Sequence, residues 1–393
     1  MQLIHAASMQ TITKSGMLRK ISVFADRKAE LKELLASANA LSRRKPQNFV
    51  ILGPRRIGKT HLIIKYLLES SSKSRIPICI DTLFLTSWAE VADMLVSGLL
   101  HGYREFSGKR IDVDAFFIGA RAKATEFREK MKSVEAEFGA TAGYYVALRA
   151  SMEKKNEVNL LINALKILHE FAEKKKITLI VVIDEIQQAA KFANSAEGLA
   201  AIRSEMQFHD RIQYIFSGSS PTFMREEFLR KGAALWKQVT PFEMREFPPE
   251  GVEELLRAFH PAARHDESCI RRIHEITQGI PDYVVKTLNR MGDTDRISVD
   301  DVDSAFEKVV ESEIRFIQQI MDELTPDQIR ILGTMTGGTV RYKEIAALFE
   351  YPPTALLRTL EKEELIAKTG RGEYVIRDPV LRAALERSRF PVQ

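Results

Sequence analysis

Apolar positions along this chain repeat with two periods. The run Ile177-Thr178-Leu179-Ile180-Val181-Val182-Ile183 is apolar and β-branched, which predicts a strand buried on both faces, as in a parallel sheet covered by helices. Asn48-Phe49-Val50-Ile51-Leu52 and residues 212–216 predict two more buried strands. Residues 76–80 predict another, opened by Pro77 and ended by Asp81-Thr82, and a fifth is expected to begin at Lys237-Gln238-Val239. Between these runs the spacing turns helical, over residues 28–35, 61–69, 88–100 and 158–168. Strands alternating with helices predict an α/β fold around a parallel sheet.

Beyond Pro248-Pro249-Glu250-Gly251 the pattern is purely helical, over residues 252–259, 270–277 and 283–289, interrupted at Thr277-Gln278-Gly279-Ile280-Pro281. Residues 326–332, 342–349 and 353–365 then predict three short helices, and residues 367–376 a hairpin with a glycine turn. Helix, helix, helix, hairpin is the order of a winged helix. The expected organisation is a flexible N-terminal tail (1–20), an α/β core (21–248), a helical lid (249–321) and a winged-helix domain (322–393). Within the core, the 131 residues separating Gly53 from Asp184 leave room for a helical insertion around 103–155, a lid, a docking element or a passive rim.

Candidate chemistry sits at the ends of the predicted strands. Gly53-Pro54-Arg55-Arg56-Ile57-Gly58-Lys59-Thr60 fits G-x-x-x-x-G-K-[ST], with a strand before it and, from His61 onward, a helix after it. In that context the glycines let successive N–H groups turn inward onto phosphate oxygens, and the helix N-terminus adds a favourable dipole. Lys59 would neutralise the β- and γ-phosphates of a nucleoside triphosphate, and the Thr60 hydroxyl would hold Mg²⁺. The strand 177–183 ends in Asp184-Glu185. Asp184 is placed to order the Mg²⁺ shell, and Glu185 to act as general base toward the attacking water. After the strand 212–216 comes Ser217-Gly218-Ser219-Ser220. There Ser219, or Ser217 in a different register, would touch the γ-phosphate or the water.

Composition narrows the setting. The 393 residues are 45% hydrophobic and 28% charged, as in a soluble globular protein of two or three domains. Two cysteines, Cys79 and Cys269, support neither a disulfide framework nor a zinc site, and a reducing cytoplasm is the expected compartment. Eight histidines are scattered without ligand spacing. No apolar run approaches the ~20 residues of a membrane span. The N-terminus fits neither a secretory signal nor an amphipathic anchor, and Met9 or Met17 are alternative starts. Of the net charge of +5, residues 1–48 carry nine Lys/Arg against three Asp/Glu, an excess of 9 − 3 = +6. Residues 322–393 hold eleven basic and eleven acidic side chains, a neutral balance for a module relying on DNA phosphates. Lys368, Arg371 and Arg377 would still make its wing basic.

From about Phe24 to the C-terminus the chain resembles the archaeal and bacterial P-loop ATPases of the STAND branch of the AAA+ superfamily. The likeness rests on Phe24-Ala25-Asp26-Arg27, the glycine loop, Val182-Ile183-Asp184-Glu185-Ile186-Gln187, Phe216-Ser217-Gly218-Ser219-Ser220, Gly279-Ile280-Pro281 and Arg377-Asp378-Pro379. It implies ATP as the nucleotide, no guanine-reading Asn-Lys-x-Asp being present, and a regulatory switch in which ATP closes the lid on the core. It implies that Pro281 packs near the adenine, with the backbone up to Arg27 on the other side of the base. It also implies an arginine reaching the γ-phosphate, among Arg225, Arg230 and Lys231, with Arg230 the choice; Lys237-Gln238 stand where relatives tend to carry an arginine. The other reading is an ATP-dependent DNA-binding protein akin to origin-recognition ATPases. Its expected partners are ATP and ADP, with DNA, a protein or a second copy beside them.

Overall fold

The structure is a computed structural model that describes residues 23–108, 157–292 and 294–387. The expected tail 1–20 lies outside them, as does the expected insertion from residue 109 on. The chain divides into two compact units between Met244 and Arg245.

The first unit is built on five parallel strands: β1 (Phe49–Leu52), β2 (Arg75–Asp81), β3 (Thr178–Asp184), β4 (Ile212–Gly218) and β5 (Thr240–Glu243), in the order β2-β3-β4-β1-β5. Alternation along β3 shows why its sequence has no polar face. Leu179, Val181 and Ile183 join the core under α3 (Trp88–Ser107), α4 (Glu157–Lys175) and α5 (Ser195–Met206). Ile180 and Val182 join the core under α1 (Lys28–Leu41) and α2 (Lys59–Ser70). Both faces are therefore dry, and every β3 residue is buried.

Two strands differ from expectation at their starts. β5 begins at Thr240, because Lys237 takes a left-handed backbone (φ 60°) and Gln238 N–H turns back to the Leu235 carbonyl, 3.1 Å away. β2 begins two residues before Pro77, which sits inside the strand opposite Ile180. β2 is an edge strand, where a missing N–H costs no ladder bond on the open side. The helix after β2 runs to Ser107, taking in the first residues expected of the insertion.

The second unit begins with α6 (Pro249–Phe259), α7 (Glu267–Thr277), α8 (Pro281–Leu288) and α9 (Val299–Glu323), with two-residue strands β6 (Arg264–His265) and β7 (Arg296–Ile297) pairing in parallel. A capping box, Ser298 with Asp301, opens α9. Then follow α10 (Pro326–Thr334), β8 (Val340–Arg341), α11 (Tyr342–Ala346), α12 (Thr354–Lys362), β9 (Ile366–Gly370), β10 (Glu373–Ile376) and α13 (Pro379–Arg387). β8, β10 and β9 form a small antiparallel sheet in that order. α9 crosses the expected boundary at 321/322, and one core joins Tyr283, Phe306 and Val309 to Ile331, Leu360 and Leu381. The Tyr283 hydroxyl donates to Asp378, whose carboxylate also caps α13 by accepting from Val380 and Leu381 N–H at 2.9 and 3.1 Å.

Trp88 is the largest fully buried side chain. It meets Phe192 edge-on at 5.2 Å, and its indole N–H reaches the Asn194 carbonyl at 3.0 Å. Trp88→Ala should cost about 3–5 kcal/mol, read as an earlier urea midpoint with an unchanged m value.

Candidate active site

The glycine loop joins β1 to α2 at the carboxyl end of the sheet. Gly58 is the N-cap of α2 with φ 91°, a left-handed conformation that a side chain would strain. At Gly53 the constraint is space: a Cβ there would lie 2.9 Å from the Met244 carbonyl oxygen. Between them Ile57 is wholly buried and pins the loop to the core. The loop thus curls around the N-terminus of a twelve-residue helix whose first N–H groups have no intrahelical acceptors. That arrangement favours an anion. Lys59 is 5% exposed, and its ammonium donates to the Gly53 and Pro54 carbonyls at 2.8 and 2.9 Å, which holds it across the mouth of the loop.

Asp184 closes β3 and collects three donors. Thr60 Oγ1 donates to Oδ2 at 2.8 Å, while Ser217 Oγ and the Glu185 N–H (3.0 Å) donate to Oδ1. The two serines that the sequence leaves open therefore divide their work. Ser217, wholly buried, serves Asp184; Ser219, 1% exposed, donates to Glu185 Oε2 at 3.2 Å.

Glu185 itself takes a left-handed backbone (φ 55°) at the start of a 3₁₀ segment, Ile186–Lys191. That turn aims the following residues back over the strand end. Thr82, at the end of β2, fixes it from the other side: its N–H bonds the Asp184 carbonyl at 3.0 Å. Its hydroxyl lies 3.0 and 2.6 Å from the Asp184 and Glu185 carbonyl oxygens. Gln187 Nε2 donates both to Glu185 Oε2 and to Ser219 Oγ, the latter at 3.1 Å. Neither Thr82 nor Gln187 was assigned a role from sequence. For Thr82 the only signal was a hydroxyl residue closing a strand; for Gln187 it was its place in the Asp184-Glu185-Ile186-Gln187 run on which the family likeness rests.

The other expected residues lie on the loop itself or on other elements. Arg55, Arg56 and His61 are exposed around the loop and the first turn of α2. Arg27, 6% exposed, is the N-cap of α1 and pairs with Glu30 at 3.3 Å. Arg230 is exposed at the end of a π-helical turn, Arg225–Leu229. Pro281 belongs to the second unit, where it is the buried first residue of α8.

Oxygen donors from Thr60 and Asp184 suit Mg²⁺, which keeps several waters and phosphate oxygens and needs only one or two protein ligands. Among the described residues no group of three His, Cys, Asp or Glu side chains is arranged to hold a metal.

The profile of an ATPase domain predominantly from Archaea matches residues 24–287. The chain belongs to this family. No curated protein matches it in sequence. Among solved structures it is similar to the Walker-type ATPase of Pyrococcus abyssi, at 18% identity and a TM-score of 0.63, covering 96% of this chain and 98% of that one. The Aeropyrum pernix ORC2 protein, solved as ADPNP–ADP complexes, aligns at 14% identity and a TM-score of 0.58, with the same coverage of both chains. The Aeropyrum pernix ORC1 protein in complex with DNA aligns at 14% identity and a TM-score of 0.50, covering 96% of each chain. The first unit thus has an α/β P-loop fold, which it shares with these structures. No helix of the described residues is long and apolar enough to cross a membrane.

Lys59→Ala removes the one ammonium in the loop, a charge-assisted interaction of about 1.5–3 kcal/mol. ATP affinity, followed by titration calorimetry, should fall by roughly ten- to a hundredfold while the far-ultraviolet circular dichroism stays unchanged.

Proposed function

We propose that this protein is an Mg²⁺-dependent ATPase whose nucleotide cycle works a regulatory switch of the STAND type. The observation that supports it best is that Thr60 and Ser217 both donate to Asp184, with Glu185 held beside it by Ser219. The loop N–H groups and Lys59 grip the triphosphate. Mg²⁺, held by Thr60 Oγ1 and ordered by Asp184, would supply charge neutralisation between the β- and γ-phosphates. Glu185 takes a proton from water as the water oxygen attacks the γ-phosphorus. The bond to the bridging oxygen breaks, and that oxygen leaves with ADP. Arg230, exposed before β5, is the arginine of choice for transition-state charge, and Lys237-Gln238 in the place where relatives tend to carry an arginine fits slow turnover.

In this reading residues 249–321 act as the lid that senses ATP, with Pro281 toward the base, and residues 322–393 as a winged helix that docks on a protein or holds the switch off. The cytoplasm is the compartment. A second reading, ATP-dependent DNA binding, draws on the α10–β10 order of helices and hairpin and on the likeness to a protein solved with DNA. Exposed Lys368, Arg371 and Arg358 are the contacts it would use.

Glu185→Gln should bind ATP like the wild type yet turn it over about 10²–10⁴ times more slowly, measured by phosphate release. Undiminished turnover would remove the base assignment. Light scattering with ATP against ADP, and fluorescence anisotropy of labelled duplex DNA across a salt series, separate the two readings. An ATP-dependent change of mass without DNA affinity supports the switch; salt-sensitive DNA binding tightened by ATP supports the second reading.

A further inference from the structure

The AAA+-like core accounts for Thr60, Asp184 and Glu185, but leaves unexplained a half-buried amide, that of Gln187, set against the general base with its Oε1 shielded from solvent. We propose that Gln187 is a positioning residue for hydrolysis. It bridges Ser219 to Glu185 and fixes the glutamate so that one carboxylate oxygen is tied to the protein and the other faces the water. This inference rests on Glu185 being the base.

Geometry carries it in two independent ways. Glu185 Oε2 accepts from two donors on different elements, Gln187 Nε2 on the 3₁₀ segment and Ser219 Oγ beyond β4. Gln187 Nε2 also donates to Ser219 Oγ, so the three side chains close a ring. A carboxylate on a two-carbon stem otherwise samples several rotamers, and misplacement by an ångström costs a reaction about a hundredfold. The ring removes that freedom at Oε2 and leaves Oε1 to accept the water's proton.

Secondly, the end of β4 is shaped around the amide. A Cβ at Gly218 would lie 2.6 Å from Gln187 Oε1 and 2.5 Å from Met224 Sδ, so the backbone approaches the amide as closely as only glycine permits. The position of Gln187 is thus set from both sides: by the left-handed turn at Glu185 that throws it back, and by the bare backbone that receives it. Ser219 lies one residue beyond that backbone. A shift in Ser219 on meeting the γ-phosphate therefore reaches Glu185 through a single hydrogen-bonded step.

Steady-state ATP turnover and binding of a fluorescent ADP analogue test this on the full chain, comparing wild type, Gln187→Met, Ser219→Ala, their double variant and Glu185→Gln. Gln187→Met keeps length and volume but loses both bonds. It should lower kcat by about ten- to a hundredfold while KM and analogue affinity stay within about twofold. Ser219→Ala added to it should cost less than Ser219→Ala alone, as expected of side chains acting as one unit. A Gln187→Met protein with wild-type kcat, beside a Glu185→Gln protein that has lost turnover, overturns the inference and leaves the base assignment standing. Undiminished turnover in Glu185→Gln overturns both. A parallel fall in kcat, analogue affinity and melting temperature overturns it in favour of a merely structural tether. Should Gln187→Met not fold, Gly218→Ala displaces the same amide from the opposite side and is expected to give the same split between kcat and KM.

Discussion

A carboxylate almost out of water must be surrounded by donors, and the first unit is arranged around that requirement. Asp184 is 5% exposed, and an unpartnered charge at that depth would cost several kcal/mol. Its donors come from three places: Thr60 from the start of α2, Ser217 from β4 and the N–H of Glu185 from its own chain. Satisfying one charge therefore fixes the register of β3 against β4 and sets α2, with its glycine loop, onto the strand ends. The same bonds leave Glu185 one residue farther on, at the rim, where a left-handed backbone turns it toward Ser219.

Support for that rim comes from the connection between β2 and α3. Thr82 ties the carbonyls of Asp184 and Glu185, and six residues later Trp88 takes up the Asn194 carbonyl where the 3₁₀ segment gives way to α5. The segment carrying Glu185 and Gln187 is thus held at both ends by one short loop. Exposed Leu83 and Phe84 lie on that loop, while Leu85 beside them is buried as its anchor.

Much of this was readable in the sequence, and what was not has physical reasons. The glycine loop and Asp184-Glu185 are contiguous, and their flanking runs are apolar on both faces, so residue order alone carries the signal. Thr82 is different: its partners lie 102 and 103 residues away, and nothing local marks a threonine whose value is its nearness to another strand. Gln187 is near Glu185 in sequence, but its bond to Ser219 spans 32 residues. The start of β5 was placed too early because Val239 reads as strand, whereas a positive φ at Lys237 keeps the turn going. The long helix α9 did leave a signal, the Ser298–Asp301 box followed by Val302, Phe306, Val309 and Val310 on one face; exposed Phe316 and polar residues after it blur the stripe. The two residues of β8 are too few to show any period.

The two outer strands of the large sheet share an unusual trait: each carries a proline, Pro77 in β2 and Pro241 in β5. An incoming extended chain would find a donor missing at either margin and would leave a carbonyl of its own unanswered. Growth of the sheet by strand addition is thereby discouraged on both sides. The carboxyl ends of the strands, where the glycine loop and Asp184 meet, carry no such guard.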